Sequence, residues 1–276
     1  MIYKIKNRVY YWSSIDIGIA LTYFIHTGWI KNISTSMLVF NIVQFFLLLN
    51  HQLLLWILNK RGFDPKVSLF FQNYLIGRRT KYLWNSFSFS FFDIDVGVGQ
   101  GSTLFPILSA LYLAPILYIF EKRIKILKIL ISILSVIDDG LFISQNKSLV
   151  VLNTNIFCSY NVISSLLRKF RLIIEHRKTE VFYFSRLQWM FTPSLLDFTP
   201  LGGHILYPKT TLWCFGFIFN WKLLFCQYIN FYTTKAISII KYMKMLGNLS
   251  RSLISIQKQC LYRCCILPIT LYSFQL

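Results

Sequence analysis

Asp138 and Asp139 are the only adjacent acids in a chain of 276 residues that sets ten Asp and Glu against twenty-nine Lys and Arg. Two neighbouring carboxylates repel and raise each other's pKa unless a cation neutralises them. A divalent ion does this through the hard oxygen ligands that Mg²⁺ prefers. An ordinary turn, with aspartate as a turn former, is the competing reading of the same residues. A second candidate is the basic run Arg78-Arg79-Thr80-Lys81, interleaved with Tyr74, Tyr82 and Trp84. That mixture suits phosphate contact together with stacking on rings, with a solvated turn as the alternative. A third is Gly97-Val98-Gly99-Gln100-Gly101-Ser102, three glycines leading toward an apolar run opened by Pro106. Such a loop brings backbone N–H groups close to a phosphate, although its spacing is neither the dinucleotide nor the P-loop pattern.

These residues need elements to hold them. The paired acids are flanked by apolar segments, Ile129–Ile137 and Leu141–Ser144, and Asp-Gly between two such runs predicts a hairpin turn at Asp139-Gly140. Met37–Val43 reads as a buried strand, apolar on both faces. Leu47–Lys60 has helical periodicity and ends at Gly62. Asp64-Pro65 supplies an N-cap and a first-turn proline for a second helix running toward Gly77. Ile107–Phe120 is a further apolar run, with Glu121-Lys122-Arg123 marking its exit to the surface. The spacing of Ile156, Phe157, Tyr160, Ile163, Leu167 and Phe170 predicts an amphipathic helix whose basic end at Arg168-Lys169 suits the helix dipole. A strand follows at Val181–Phe184, after Lys178-Thr179-Glu180, and Thr233–Ser255 reads as a basic helix. The order strand, helices, hairpin, helix, strand predicts an α+β fold, an antiparallel sheet with helices on one face.

Composition narrows the function. The net charge is +19, yet 55% of the residues are hydrophobic and the mean hydropathy is +0.52. Twenty-six Phe, sixteen Tyr and seven Trp exclude intrinsic disorder. Twelve Gly and seven Pro exclude a collagen-like chain. The six cysteines form no C-x-x-C pair and have no histidine at finger spacing, which argues against a zinc site or a disulfide framework and for reduced, mostly buried thiols. Two classes survive, a basic nucleic-acid-binding protein and an integral membrane protein. Met37–Leu58 is long enough to span a bilayer, but it carries Asn41, Gln44, Asn50, His51 and Gln52. Basic residues are also scattered rather than gathered in alternate loops. No stable membrane association is expected, and the abundance of Ile, Phe, Tyr, Asn and Lys beside four Ala explains the hydropathy. Met1–Tyr11 lacks the apolar core of a signal peptide, so the nucleus or cytoplasm is expected rather than secretion.

Taken together, the motifs resemble the polymerase domain of reverse transcriptases, of the LINE-type (non-LTR) retrotransposon group common in fungal genomes. Asp138-Asp139 is similar to the paired acids of that family's palm hairpin, Gly99-Gln100-Gly101-Ser102 to its Q-G-S loop, Lys178 to the lysine of the next motif, and Phe215-Gly216 to the turn of the primer grip. The resemblance implies a right-hand polymerase palm with partial fingers and the start of a helical thumb. It divides the chain into partial fingers (1–36), the first palm strand (37–51), a fingers-like helical insertion (52–95), palm (96–225) and thumb (226–276). It further implies an RNA-directed DNA polymerase with RNA template, DNA primer and dNTP substrates, working through two Mg²⁺ ions that align the primer 3′-oxygen and stabilise the leaving pyrophosphate.

On that resemblance Asp138 and Asp139 would bind metal, Lys178 would support the leaving group, and Phe46 would exclude a ribose 2′-hydroxyl. Gly99, Gln100, Gly101, Ser102, Arg78 and Arg79 would contact nucleotide or template. One departure matters most. Phe40-Asn41-Ile42 stands where the family has Phe-Asp-Ile, so the third metal-binding carboxylate is an amide, Asn41. The site then holds two formal negatives instead of three, and the expectation is a decayed copy with weakened Mg²⁺ affinity and impaired or no activity. Val136, Leu47-Leu48 and Phe105 depart as well. The alternatives are a non-catalytic nucleic-acid-binding remnant and a basic membrane protein.

Overall fold

The computed structural model describes residues 14–85, 87–99, 103–136, 138–185, 206, 208–249 and 254–270. Helix α1 (Ser14–Ile30) leads into strand β1 (Ser34–Asn41), which becomes the centre of the architecture. The short α2 (Phe45–Leu48), α3 (His51–Lys60) and α4 (Pro65–Leu75) follow. Two small ribbons come next, built from β2 (Arg79–Thr80), β3 (Leu83–Trp84), β4 (Phe87–Ser88) and β5 (Phe92–Asp93). Then come α5 (Phe105–Ile126), the hairpin β6 (Ser132–Val136) and β7 (Asp139–Asn146), α6 (Leu149–Lys169), a 3₁₀ turn (His176–Lys178) and β8 (Glu180–Phe184). A second hairpin, β9 (Thr211–Cys214) and β10 (Phe217–Asn220), precedes α7 (Cys226–Leu249), α8 (Ser255–Leu261) and α9 (Leu267–Thr270), with a π-helical segment, Tyr262–Ile266, between the last two.

The main sheet is antiparallel in the order β6-β7-β1-β8. Because β1 is apolar on both sides, each side must be covered. Leu38, Phe40 and Ile42 point to a core shared with α3, α5 and α6, where Phe142 and Val181 join them from the flanking strands. Met37, of the other parity, points to a second core with Leu141, Ile143, Phe182 and Phe184. That core is closed by Ile17, Leu21 and Ile25 of α1, by Leu212 and Phe217 of the second hairpin, and by Tyr228 of α7. The expectation of helices on one face is therefore corrected: helices lie on both, since a strand with two apolar faces cannot leave one in water.

Several elements form as their residues dictate. Asp64 caps α4 by accepting the Lys66 N–H at 2.7 Å, and Gly62 adopts the left-handed conformation expected after α3. Leu47–Lys60 is not one helix, however. The chain leaves helical geometry at Leu49, where the Leu49 carbonyl accepts from the Gly97 N–H at 2.7 Å, and Asn50 then caps α3 through the Leu53 N–H at 2.9 Å. The predicted exit at Glu121-Lys122-Arg123 is a further turn of α5, kept helical by burial of Phe120 and Ile124 on either side.

The Asp-Gly signal also needs correction. Val136 pairs with Asp139, so Asp139 and Gly140 belong to β7 and Asp138 stands at the turn. The helices α5 and α6 are long and apolar enough to cross a bilayer, with half and about two-fifths of their most apolar stretches buried inside the protein. Met37–Leu58, the stretch that passed the same length test in the sequence, is split among β1, α2 and α3, so it is no single spanning helix.

Candidate active site

Register decides which side chains meet. Asn41 lies directly across from Asp139, and Val39 is flanked by Leu141 on one side and Glu180 on the other. With the two-residue alternation of strands, Val39, Asn41, Asp139 and Glu180 share one face at one end of the sheet. The backbone beyond β1 continues the ladder. The Val43 N–H donates to the Ile173 carbonyl at 2.8 Å, and the Glu175 N–H donates to the Asn41 carbonyl at 2.8 Å. This pairing delivers the 3₁₀ turn, and with it Arg177 and Lys178, beside Asp139. A hydrogen bond of 2.6 Å between Tyr160 Oη and His176 Nδ1 fixes the turn to α6.

The second hairpin closes the other wall. Phe215 and Gly216 both have positive φ, 53° and 85°, and link β9 to β10 in the two-residue turn favoured by the twist of paired strands. The result is an open pocket of about 530 Å³ lined by Asn41, Asp139, Arg177, Lys178, Glu180 and Trp213, with Val39, Cys214, Phe215 and Gly216 completing it.

Its electrostatics are set by burial and by near neighbours. Asp139 is pushed above the ordinary aspartate range, first by burial and then by the Asp138 charge. The Asn41 side chain, donating Nδ2–H to Asp139 Oδ1 at 2.9 Å, and the Lys178 ammonium act in the opposite direction. Glu180 is ion-paired with Lys209. The fully buried Cys214 thiol is driven well up, by burial and by the Asp139 and Glu180 charges.

The expected glycine-loop contacts gather at a second place. Gly97 is clamped through its carbonyl, which accepts from His51 Nε2 at 2.6 Å and from Arg78 Nη1 at 2.8 Å. The Val98 N–H donates to the Phe46 carbonyl at 2.9 Å, and the Phe46 ring rests against Phe105 with centroids 4.0 Å apart. Phe46, Arg78 and Gly99 are thus neighbours, the Arg78 guanidinium lying 3.3 Å from where a Gly99 Cβ would stand. Gln100, Gly101 and Ser102 fall outside the described residues.

The basic pair is divided. Arg78 turns inward to the loop, whereas Arg79 is exposed and bonded to Asp93 at 2.9 Å. Of the paired acids only Asp139 lines the pocket; Asp138 sits at the hairpin turn, its carbonyl accepting from the Ile42 N–H at 3.0 Å.

Four residues of these sites are not assigned to a site by the sequence. Glu180 could have been found from strand alternation, since it shares a face with Phe182 and Phe184. Arg177, Trp213 and His51 carried no such signal.

The donor set is a poor match for a pair of metal ions. Among the described residues no three His, Cys, Asp or Glu side chains stand close enough together to hold one ion. The third position of the set, Asn41, turns a hydrogen-bond donor rather than a lone pair toward Asp139.

No protein-family model and no curated protein matches the chain. Solved structures do match. The apo telomerase from Candida tropicalis superposes with a TM-score of 0.54 at 14% identity, over 77% of this chain and 36% of that one. The same telomerase in complex with a TWJ fragment of telomeric RNA gives 0.49 at 15% identity, over 62% of this chain and 29% of that one. An apo form truncated from its C-terminal domain gives 0.46 at 14%, over 78% and 40%. The chain therefore spans between about three-tenths and two-fifths of the telomerase chains it matches. The chain thus shares the mixed α+β fold of the matched part of that telomerase.

Proposed function

We propose that the chain is the palm-centred part of a reverse transcriptase of the LINE type, decayed at its catalytic site and retaining the binding of primer–template. Residues 37–51 and 96–225 would be palm, 1–36 and 52–95 fingers, and 226–276 the start of the thumb. The observation that carries this reading is the single pocket formed by Asn41, Asp139 and Lys178, three residues far apart in the chain that the sheet register and the 3₁₀ turn bring together. The likeness of fold to the telomerase from Candida tropicalis supports it.

In this reading Lys178 and Arg177 receive phosphate oxygens, since ammonium and guanidinium groups are strong partners for them. The Phe215-Gly216 turn presents its backbone to the primer end. Phe46 borders the glycine loop, where a flat ring limits what fits at a sugar edge. The excess of nineteen positive charges favours an RNA–DNA hybrid, held through its phosphates. RNA template and DNA primer are the proposed partners by the same reasoning. Binding should weaken steeply with salt, by about a thousandfold between 50 and 200 mM if six phosphates are neutralised.

Catalysis is proposed for the form in which Asn41 is returned to aspartate, with Mg²⁺ as cofactor and deoxynucleoside triphosphates as substrates. The test is primer extension on an RNA template in Mg²⁺ and in Mn²⁺, comparing the protein with Asn41→Asp and with Asn41→Asp/Asp138→Ala. Synthesis by Asn41→Asp that the added Asp138→Ala abolishes supports the reading. Binding of the hybrid with no extension by any form favours the second reading, a non-catalytic nucleic-acid binder, for which the Asn41 amide already speaks.

A further inference from the structure

We infer that the Asn41 amide is an internal substitute for a cation, and that it locks the pocket in a form that does not need a divalent ion and resists one. The inference rests on reading this pocket as a polymerase-type carboxylate site, and it concerns what the protein's own residues do there.

An ionised carboxylate offers only acceptors, so the group facing Asp139 Oδ1 across 2.9 Å has to be the amide N–H₂ of Asn41 and not its oxygen. The contact joins register partners on adjacent strands, so backbone pairing alone holds the two side chains opposite each other. It needs no loop movement to form. An aspartate at position 41 would set a second carboxylate at that spacing, a repulsion that a bound cation removes. Asparagine removes it without one.

The rest of the pocket is balanced in the same way. Asp139 and Glu180 face Lys178 and Arg177, two charges of each sign, and Glu180 has Lys209 as well. A divalent ion approaching Asp139 would meet a pocket already neutralised by side chains. It would also have to displace the hydrogen bond from Asn41, whose oxygen is turned away.

The two roles open to Asn41, lock or weak ligand, predict opposite outcomes when it is cut back. We would titrate the protein and its variants with Mn²⁺ alone, following free Mn²⁺ by electron paramagnetic resonance, with Asp139→Ala versions as the correction for unrelated sites. Thermal unfolding with and without Mg²⁺ would run in parallel.

If the amide is a lock, Asn41→Ala binds Mn²⁺ at least tenfold more tightly than the unmodified protein, although it has lost an oxygen. Asn41→Asp should then unfold at a lower temperature in chelator and recover with Mg²⁺, while the unmodified protein is indifferent to the ion. Affinity in Asn41→Ala equal to or weaker than that of the unmodified protein overturns the lock. Should the alanine variant fail to fold, Asn41→Val, which suits a strand end, gives the same comparison. The underlying reading fails separately: it falls if Asn41→Asp shows no Mn²⁺ binding that depends on Asp139.

Discussion

The tip of the Phe40 ring lies against Gly140, its partner on the neighbouring strand, so closely that a Cβ at position 140 would fall 2.1 Å from the ring Cζ. The pair sits one step from Asn41 and Asp139 and fills the core side of the sheet while those two face the pocket. Gly140 is required by this approach rather than by any turn, and the ring covers a backbone that would otherwise lie open. Gly140→Ala should lower stability by about 1–3 kcal/mol, the usual cost of overpacking. Adding Phe40→Leu should recover part of the loss. Urea unfolding of the single and double variants measures both.

The clamp on Gly97 gives a second expectation. His51 and Arg78 both donate to one carbonyl, and His51 is buried. Replacing either donor should cost about 1–3 kcal/mol, since a buried acceptor loses a partner. Arg78→Met and His51→Leu together should cost less than the sum of the two, because the first loss frees the loop that the second would have loosened. A double-mutant cycle by chemical denaturation reads the coupling.

The acid and alkaline limbs are set by different groups. Asp139 is held above its ordinary range in the folded protein. The folded state then binds its proton more tightly than the unfolded state, so the contribution is fully present below the unfolded aspartate value and is lost as pH rises through the raised one. Asp139→Asn should therefore raise the melting temperature at pH 7 and do little at pH 3.

On the alkaline side, burial pushes Tyr112, Tyr160 and Tyr183 from 10.0 up to about 12. The sign is the same: stability present below pH 10 is lost as pH climbs toward 12. Circular dichroism followed between these values should show cooperative unfolding, shifted upward when the three are changed to phenylalanine in a background that keeps the fold.

Gly216 supplies a fifth expectation. With φ at 85° it accepts a side chain only with strain, so Gly216→Ala should cost about 1–2 kcal/mol. The loss should be accompanied by weaker hybrid binding, because the turn it forms is one wall of the pocket. Phe215 already carries the same strain at φ 53°, with its ring packed on the second core.

Much of this was legible from local pattern. Strand β1, helix α4 with its Asp64 cap, α6 with its basic end and β8 all stand close to where periodicity and capping put them. What failed locally was decided by partners distant in sequence. The single helix over Leu47–Lys60 gave way to backbone pairing between Leu49 and Gly97. The Asp-Gly step lies within β7, where Gly140 stands opposite Phe40 of β1. For the site, Asn41, Asp139 and Lys178 could be named from motifs and are brought to one pocket. The separation of Arg78 from Arg79, the absence of Asp138 from the pocket and the entry of Glu180 depend on register and on ion pairs, which no single segment contains.

The position of β1 at the middle of the sheet carries a consequence for how the protein comes into being. Its neighbours, β7 and β8, are encoded about a hundred residues or more downstream. During synthesis β1 emerges with both backbone edges unpartnered; one waits for Asn146 and the other until Phe184 has left the ribosome. Distant pairing of this kind is slow to form and exposes sticky surface meanwhile. The newborn chain accordingly carries an unpaired strand edge through much of its translation.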